Sequence, residues 1–401
     1  MSRLGHNNWH HDVQAIGEVT NIEAAYCDSE CGLEVDGISV SFAFEGALSE
    51  LLRDYLRDDT HASHLSWKYR LYYRLRPFIP ISVRQRLQRR RNQTLSVSDQ
   101  WYIPKRFLNQ FRVVLEAELP ERGDVAMIHP WPKSYGAAVS LTHDVETLAG
   151  VKRVPELAAM EERLGLRSAW NFIPYKYRID RGLLAELQQR GHEICVHGYN
   201  HDGLLFTSPK LFARRAVGIN RAAREFGAVG FRAPMVHRNL EWLQQLDFQY
   251  DSSYFDIDPF QAMPGGVGGV WPLVAGRFVE LPYTLPQDHT LLVVLGEQSP
   301  QIWMEKLRLL KQLAGMALLI THPDYLDSHG SLAIYQRFLE HVHTQTDLWK
   351  ALPKDIARWW VARQASTVDS QSDGGAVAGP AAELGQVTTL NDLFSEWLSI
   401  R

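Results

Sequence analysis

GAAVSLTHDVETLAGVKRVPELAAMEERLGLRSAWNFI, residues 136–173, sets the pattern for the chain. The apolar run GAAVSLT leads into His143, Asp144 and Glu146. VPELAAMEERLG follows, with apolar residues at helical spacing, and stops at Gly165. A second apolar run, RSAWNFI, comes next. Runs this short suit buried strands, and the spacing between them suits a helix packed on one face. The unit therefore reads strand–helix–strand, and it recurs. Strands are predicted at 136–142, 167–173, 192–198, 228–234, 248–253, 277–283, 290–296 and 316–322. Between them lie amphipathic stretches such as RGLLAELQQRG, SPKLFARRAVGINRAAREFG and SPQIWMEKLRLLKQLAG. Several begin at Ser, Asn or Pro and end at Gly, the usual start and stop signals of helices. Seven or eight such units within 135–364 favour a closed α/β barrel over an open doubly wound sheet.

The flanks have a different character. Residues 1–66 read as an N-terminal accessory region, with a strand in ISVSFAFEG and a helix in ALSELLRDYLRDD. Residues 67–134 are a basic aromatic connector. Residues 365–386, ASTVDSQSDGGAVAGPAAELGQ, have the composition of a flexible linker. Residues 387–401 contain LNDLFSEWLSI, an amphipathic tail helix expected to dock on its own chain or on a partner.

The 401 residues are 45% hydrophobic and 22% charged, which excludes full-length disorder. A net charge of −4 gives no overall basic field, so nucleic acid is not an expected partner. No apolar run is long enough to span a bilayer. The opening MSRLGHNNWHHDVQAIGEV lacks a charged head followed by an apolar core, so a cytoplasmic address is expected. Three cysteines, Cys27, Cys31 and Cys195, cannot make a disulfide framework. The near-neutral total conceals KYRLYYRLRPFIPISVRQRLQRRR, residues 68–91, which interleaves aromatics with Lys and Arg and holds no acid. It reads either as a solvated basic helix and connector or as a segment meeting an anionic membrane surface, peripheral at the inner face.

Polar residues gather at the C-terminal ends of the predicted strands, the face where barrel active sites lie. In SLTHDVE, residues two apart share a face of an extended chain, so Asp144 and Glu146 point together and Val145 away. Two such carboxylates can divide the roles of general base and metal ligand, or Asp144 can cap the next helix. In VHGYNHD, His197 and His201 are four apart, which on one helical turn lets both imidazoles bind one divalent ion. Arg232, in GFRAPMVHR, can hold a carboxylate or make a structural salt bridge. His322, in LLITHPDYL, closes the most hydrophobic strand and suits a general acid or a buried structural histidine. Taken together, three candidate ligands with a separate carboxylate and imidazole describe metal-assisted hydrolysis of an acyl or amide bond.

LTHDVE, HGYNH, FRAP, YDSSY and LLITH, in this order, resemble the five motifs of the NodB-homology polysaccharide deacetylases, of carbohydrate esterase family 4 type. The resemblance covers about residues 135–364. It implies a distorted (β/α)7 barrel, here with an N-terminal accessory region and a C-terminal tail helix. It also implies removal of an N-acetyl or related acyl group from an amino sugar, in a polysaccharide or in a lipid-linked or nucleotide-linked precursor of exopolysaccharide. By motif, Asp144 matches the catalytic base and Arg232 the arginine that holds it. His197 and His201 match the metal-binding histidines, and His322 the acid that protonates the leaving amine. Asp251 matches the aspartate that pairs with that histidine. The implied cofactor is a divalent metal, Zn²⁺ above others. The family's second aspartate is replaced by Val145, so the third ligand is either Glu146 or absent, leaving a two-histidine site. Tyr254 and Phe255 stand where the fourth motif has tryptophans and are expected to line the pocket. Two other classes remain open at this point: a barrel that only binds saccharide, and a different C–N amide hydrolase acting on ureido, formyl or cyclic amide groups.

Overall fold

Short apolar runs divided by amphipathic stretches wind into one closed ring of parallel strands. The computed structural model describes residues 32–400, apart from 63–65, 76–77, 80–82, 84–89, 91–94, 96, 262, 264, 327–328 and 370–374. Cys27, Cys31 and much of the basic run after Leu75 lie outside the described residues.

The described chain begins with a hairpin, β1 (Glu34–Val35) and β2 (Ile38–Ser41), followed by helices α1 (Ala47–Ala62), α2 (Trp67–Leu75) and α3 (Lys105–Arg122) and a short strand β3 (Met127–Ile128). The barrel strands are β4 (Ala137–Val145), β5 (Ser168–Phe172), β6 (Glu193–His197), β7 (Gly230–Arg232), β8 (Tyr250–Asp251), β10 (Phe278–Glu280) and β11 (Met316–Thr321). Each is parallel to its neighbour in the order β10-β8-β7-β6-β5-β4-β11. The ring closes where Leu285, just past β10, bridges Leu319 of β11 in parallel, with its N–H donating to the Leu318 carbonyl at 3.1 Å. This makes a seven-stranded (β/α) barrel, distorted because its closing seam is so short. Every residue of β4, β5, β6 and β11 is buried, as a strand packed on both faces requires. β12 (Leu348–Lys350) pairs with Ala137–Val139, the edge of β4 that β5 leaves free below Leu141.

The outer helices start and stop where their caps stand. Thr147 caps α4 (Leu148–Arg163), Asp180 caps α5 (Arg181–Gln189), and Ser208 with Pro209 opens α6 (Pro209–Phe226). Gly227, at φ 64°, closes α6 in the left-handed conformation. Further round lie α7 (Gln301–Gln312), α8 (His329–Thr344) and α9 (Pro353–Gln364).

Three sequence expectations are corrected. TLLVVLG is not an eighth strand: His289–Leu295 is a π-helical turn, because Thr284 and Leu285 already lie along β11. The described part of the N-terminal region, residues 32–62, is not set apart. β2 pairs antiparallel with β9 (Leu273–Ala275), itself paired with β10, so the hairpin extends the barrel's own sheet. α1 buries Leu48, Leu52 and Leu56 in the common core. The 365–386 stretch is not a free linker either. It holds a hairpin, β13 (Thr367–Asp369) with β14 (Ala376–Ala378), and buries Ala381 and Leu384. β15 (Val387–Thr388) then pairs with β3, and α10 (Leu390–Ser399) packs on its own chain. Phe394 is fully buried against Phe44 and Phe111. The Arg112 guanidinium lies 4.5 Å over the Trp397 ring and donates to the carbonyls of Trp397, Leu398 and Ile400. Those carbonyls lie in the last turn of the helix, at the negative end of its dipole, so the cation suits them.

Candidate active site

Strand alternation delivers the first residues. Along β4, Thr142 and Asp144 face Arg232 of β7, while His143 points the other way to bond Glu161 at 2.7 Å. Arg232 is completely buried. Its Nη1 donates to Asp144 Oδ1 at 3.0 Å and Thr142 Oγ1 at 2.8 Å, and its Nε donates to the Ser252 carbonyl. Asn171 of β5, directly opposite Asp144 in the sheet, donates to the same Oδ1 at 2.8 Å. Oδ1 is thus fully engaged, and Oδ2 faces the histidines, 3.7 Å from His197 Nε2. Asn171 was not among the expected residues; an Asn inside the apolar run RSAWNFI was the available signal.

His197 ends β6 and His201 follows in a loop, not on the helical turn that their spacing suggested. The chain turns at once through Gly198, at φ 61°, where a Cβ would lie 2.3 Å from the Pro234 ring. His201 is itself left-handed, at φ 59°. The two rings still converge, with centroids 5.4 Å apart. His197 Nδ1 donates to the Arg232 carbonyl at 3.1 Å, which fixes the tautomer and leaves Nε2 a bare lone pair. That Nε2 is buried and has no hydrogen-bond partner in the protein. Glu146 Oε1 lies 2.7 Å from His201 Nε2, 3.7 Å from His197 Nε2 and 3.7 Å from His322 Nε2. Donor atoms of Glu146, His197 and His201 all lie within 4.8 Å of one another. Two imidazoles, one carboxylate and an orphaned lone pair aimed between them fit a zinc-type ion.

His322 follows β11. Its Nδ1 bonds Asp288 Oδ1 at 2.7 Å and its backbone N–H donates to Asp288 Oδ2 at 2.6 Å. Asp288, not Asp251, is therefore its partner. Asp251, expected there from the motif, accepts from Ser253 N and Oγ and lies beside Glu280, with no hydrogen bond or ion pair to His322. Tyr254 and Phe255 do not line the pocket: both are fully buried, beneath the Arg238 guanidinium at 5.4 and 4.5 Å. Tyr325 packs against His322 instead, with ring centroids 4.7 Å apart.

The charges sort the roles. Burial pushes the Asp144 carboxyl up, but His197, Arg232 and His322 outweigh it and hold it below the usual carboxylate range. Burial also opposes charge on Glu146, yet His201, His197 and His322 keep it well below that range. Burial lowers His322, while Asp288 and Glu146 together raise it well above an ordinary imidazole. The site therefore sets two carboxylates held low beside a His322 imidazole held high, with His201 pushed down by burial.

No protein-family model and no curated protein matches the chain. Solved structures do. A protein from Mycobacterium smegmatis, assigned as a polysaccharide deacetylase, is 21% identical with a TM-score of 0.46, over 57% of this chain and 91% of that one. An allantoinase is 17% identical with a TM-score of 0.46, over 60% of this chain and 95% of that one. A Pseudomonas aeruginosa PAO1 protein, also assigned as a polysaccharide deacetylase, is 17% identical with a TM-score of 0.45, over 58% and 93%.

Proposed function

We propose that the chain is a metal-dependent hydrolase that removes an N-acetyl or related acyl group from an amino sugar. One observation carries the reading. The partnerless His197 Nε2 faces Glu146 and His201, between a carboxylate locked by arginine and a charged histidine. Glu146, His197 and His201 would hold a divalent ion of zinc type, which polarises an amide carbonyl and acidifies water.

The chain's own groups handle the protons. Asp144 accepts the proton of the attacking water, since Arg232 and Asn171 pin Oδ1 and leave Oδ2 turned to the site. His322 gives its Nε2 proton to the amine nitrogen as the C–N bond breaks, so an amine leaves and a carboxylate remains. Asp288 holds His322 from Nδ1, which directs Nε2 at the site. The motif resemblance supports an amino sugar as the amine.

The test is acetate release from N-acetylated amino-sugar oligomers before and after chelation, beside a panel of ureido, formyl and cyclic amides. Loss on chelation and recovery with zinc are expected. Full turnover after verified metal removal overturns the reading, and turnover of cyclic amides alone moves it to another amide hydrolase.

A further inference from the structure

We propose that the outer face of α2 docks the protein on an anionic lipid surface. At roughly 100° per residue, α2 sorts into two faces. Tyr73, on the inner face, is buried: its hydroxyl bonds His237 Nε2 at 3.1 Å, and its ring stands where any Cβ on Gly203 would be, 2.2 Å away. Tyr69, four positions back, is half-buried on the same side. The outer face holds Trp67, Leu71 and Leu75, spaced four apart, which are 65%, 48% and 47% exposed. Phe78, just beyond the helix, is 84% exposed. Arg70 and Arg74 flank this apolar stripe on one side and Lys68 on the other, all exposed.

A stripe of Trp and Leu between rows of cations is the pattern of a helix lying in the headgroup layer. The occupant follows from charge and polarity together. From residue 60 to 98 the sequence has nine Lys and Arg and no Asp or Glu, so the partner is anionic. A second copy would set cations against cations. Nucleic acid offers phosphates but no apolar phase for Leu71 and Leu75. A bilayer with anionic headgroups offers both. Because Tyr73 rests on Gly203 and His237 of the loops beside His201, docking brings the barrel mouth to within about one helix diameter, ~10–12 Å, of the lipid. This holds whichever amide the barrel cleaves.

The experiment is co-sedimentation of the full chain with vesicles of phosphatidylcholine alone or mixed with phosphatidylglycerol. Binding to the mixed vesicles at low salt, released as salt rises, is expected. Lys68→Gln, Arg70→Gln and Arg74→Gln together should weaken it by roughly 100-fold. Trp67→Ser, Leu71→Ser and Leu75→Ser together should weaken it by at least ~10-fold. These side chains are exposed, so unchanged melting of both variants confirms that they fold. A full chain that stays in the supernatant with both vesicles overturns the proposal. So does an apolar variant that sediments as the parent does. Self-association abolished by the apolar variant, without vesicle binding, would instead assign the face to a second copy and likewise overturn it.

Discussion

Asp288 decides whether His322 carries a proton into the site. It takes both the Nδ1 and the backbone N–H of His322, and an amide there can accept only one of them well. Asp288→Asn should lower kcat by roughly 100-fold with little change in KM. Anilide substrates, whose amine departs with less need of a proton, should be partly spared. Asp251→Asn should leave that kinetic signature untouched, since Asp251 serves Ser253 and the space beside Glu280. The metal assignment has its own test. Glu146→Ala should bring zinc content, measured on the purified protein, close to background; full metal retention would return the site to the two histidines. At this scale the sequence was informative wherever a functional residue ends a strand. Asp144, His197, Arg232 and His322 all stand within one residue of a strand's last, and each stands out as polar against an apolar run. Asp288 does not. It lies in PQDHT, 34 residues before its partner, and nothing local marks it.

Among elements, β6 carries opposite chemistry at its two ends. His197 ends it at the site, while Glu193 begins it at the barrel's far side. Burial pushes the Glu193 carboxyl up to about 7, only partly offset by Lys354 and the Tyr250 hydroxyl. A carboxyl raised in the folded state favours folding at low pH. That advantage is complete below the unfolded value near 4.5 and is lost as pH climbs through about 7. The loss amounts to about 3 kcal/mol. Glu193→Gln should remove this dependence, so urea unfolding at pH 5 and pH 8 should differ less in the variant than in the parent. The helices with caps were legible as elements because Ser208-Pro209 and Gly227 act locally. TLLVVLG was not, since an apolar run has the same composition as strand or as helical turn. Only the rival claim of Leu285 on β11 settles which it becomes.

The whole molecule is tied together by contacts far apart in sequence. Asp59 of α1 and Arg238 form a completely buried ion pair, 179 residues apart, with Arg238 sandwiched on Phe255. Asp59→Ala would take its carboxylate away from a buried guanidinium, and a loss of roughly 3–5 kcal/mol is expected from chemical denaturation. Replacing both partners, Asp59→Leu with Arg238→Met, should restore most of it, because the cost lies in burying the cation without Asp59. Such pairs explain why the N-terminal region was not readable as part of the barrel. Neither residue sits in a motif, and their meeting depends on the closed ring being present first. No helix among the described residues is long and apolar enough to cross a membrane.

β4 has three strand neighbours, drawn from 168–172, 316–321 and 348–350. A chain made from its N-terminus leaves the ribosome with β4 exposed long before the last two exist. For that interval the strand carrying Asp144 presents one wholly unpaired edge and part of another, in a sequence as apolar as AAVSLT. The ring cannot shut until Thr321, the last residue of β11, has been synthesised. Late sealing of this one strand makes the nascent polypeptide a natural client for chaperones that shield apolar segments during translation.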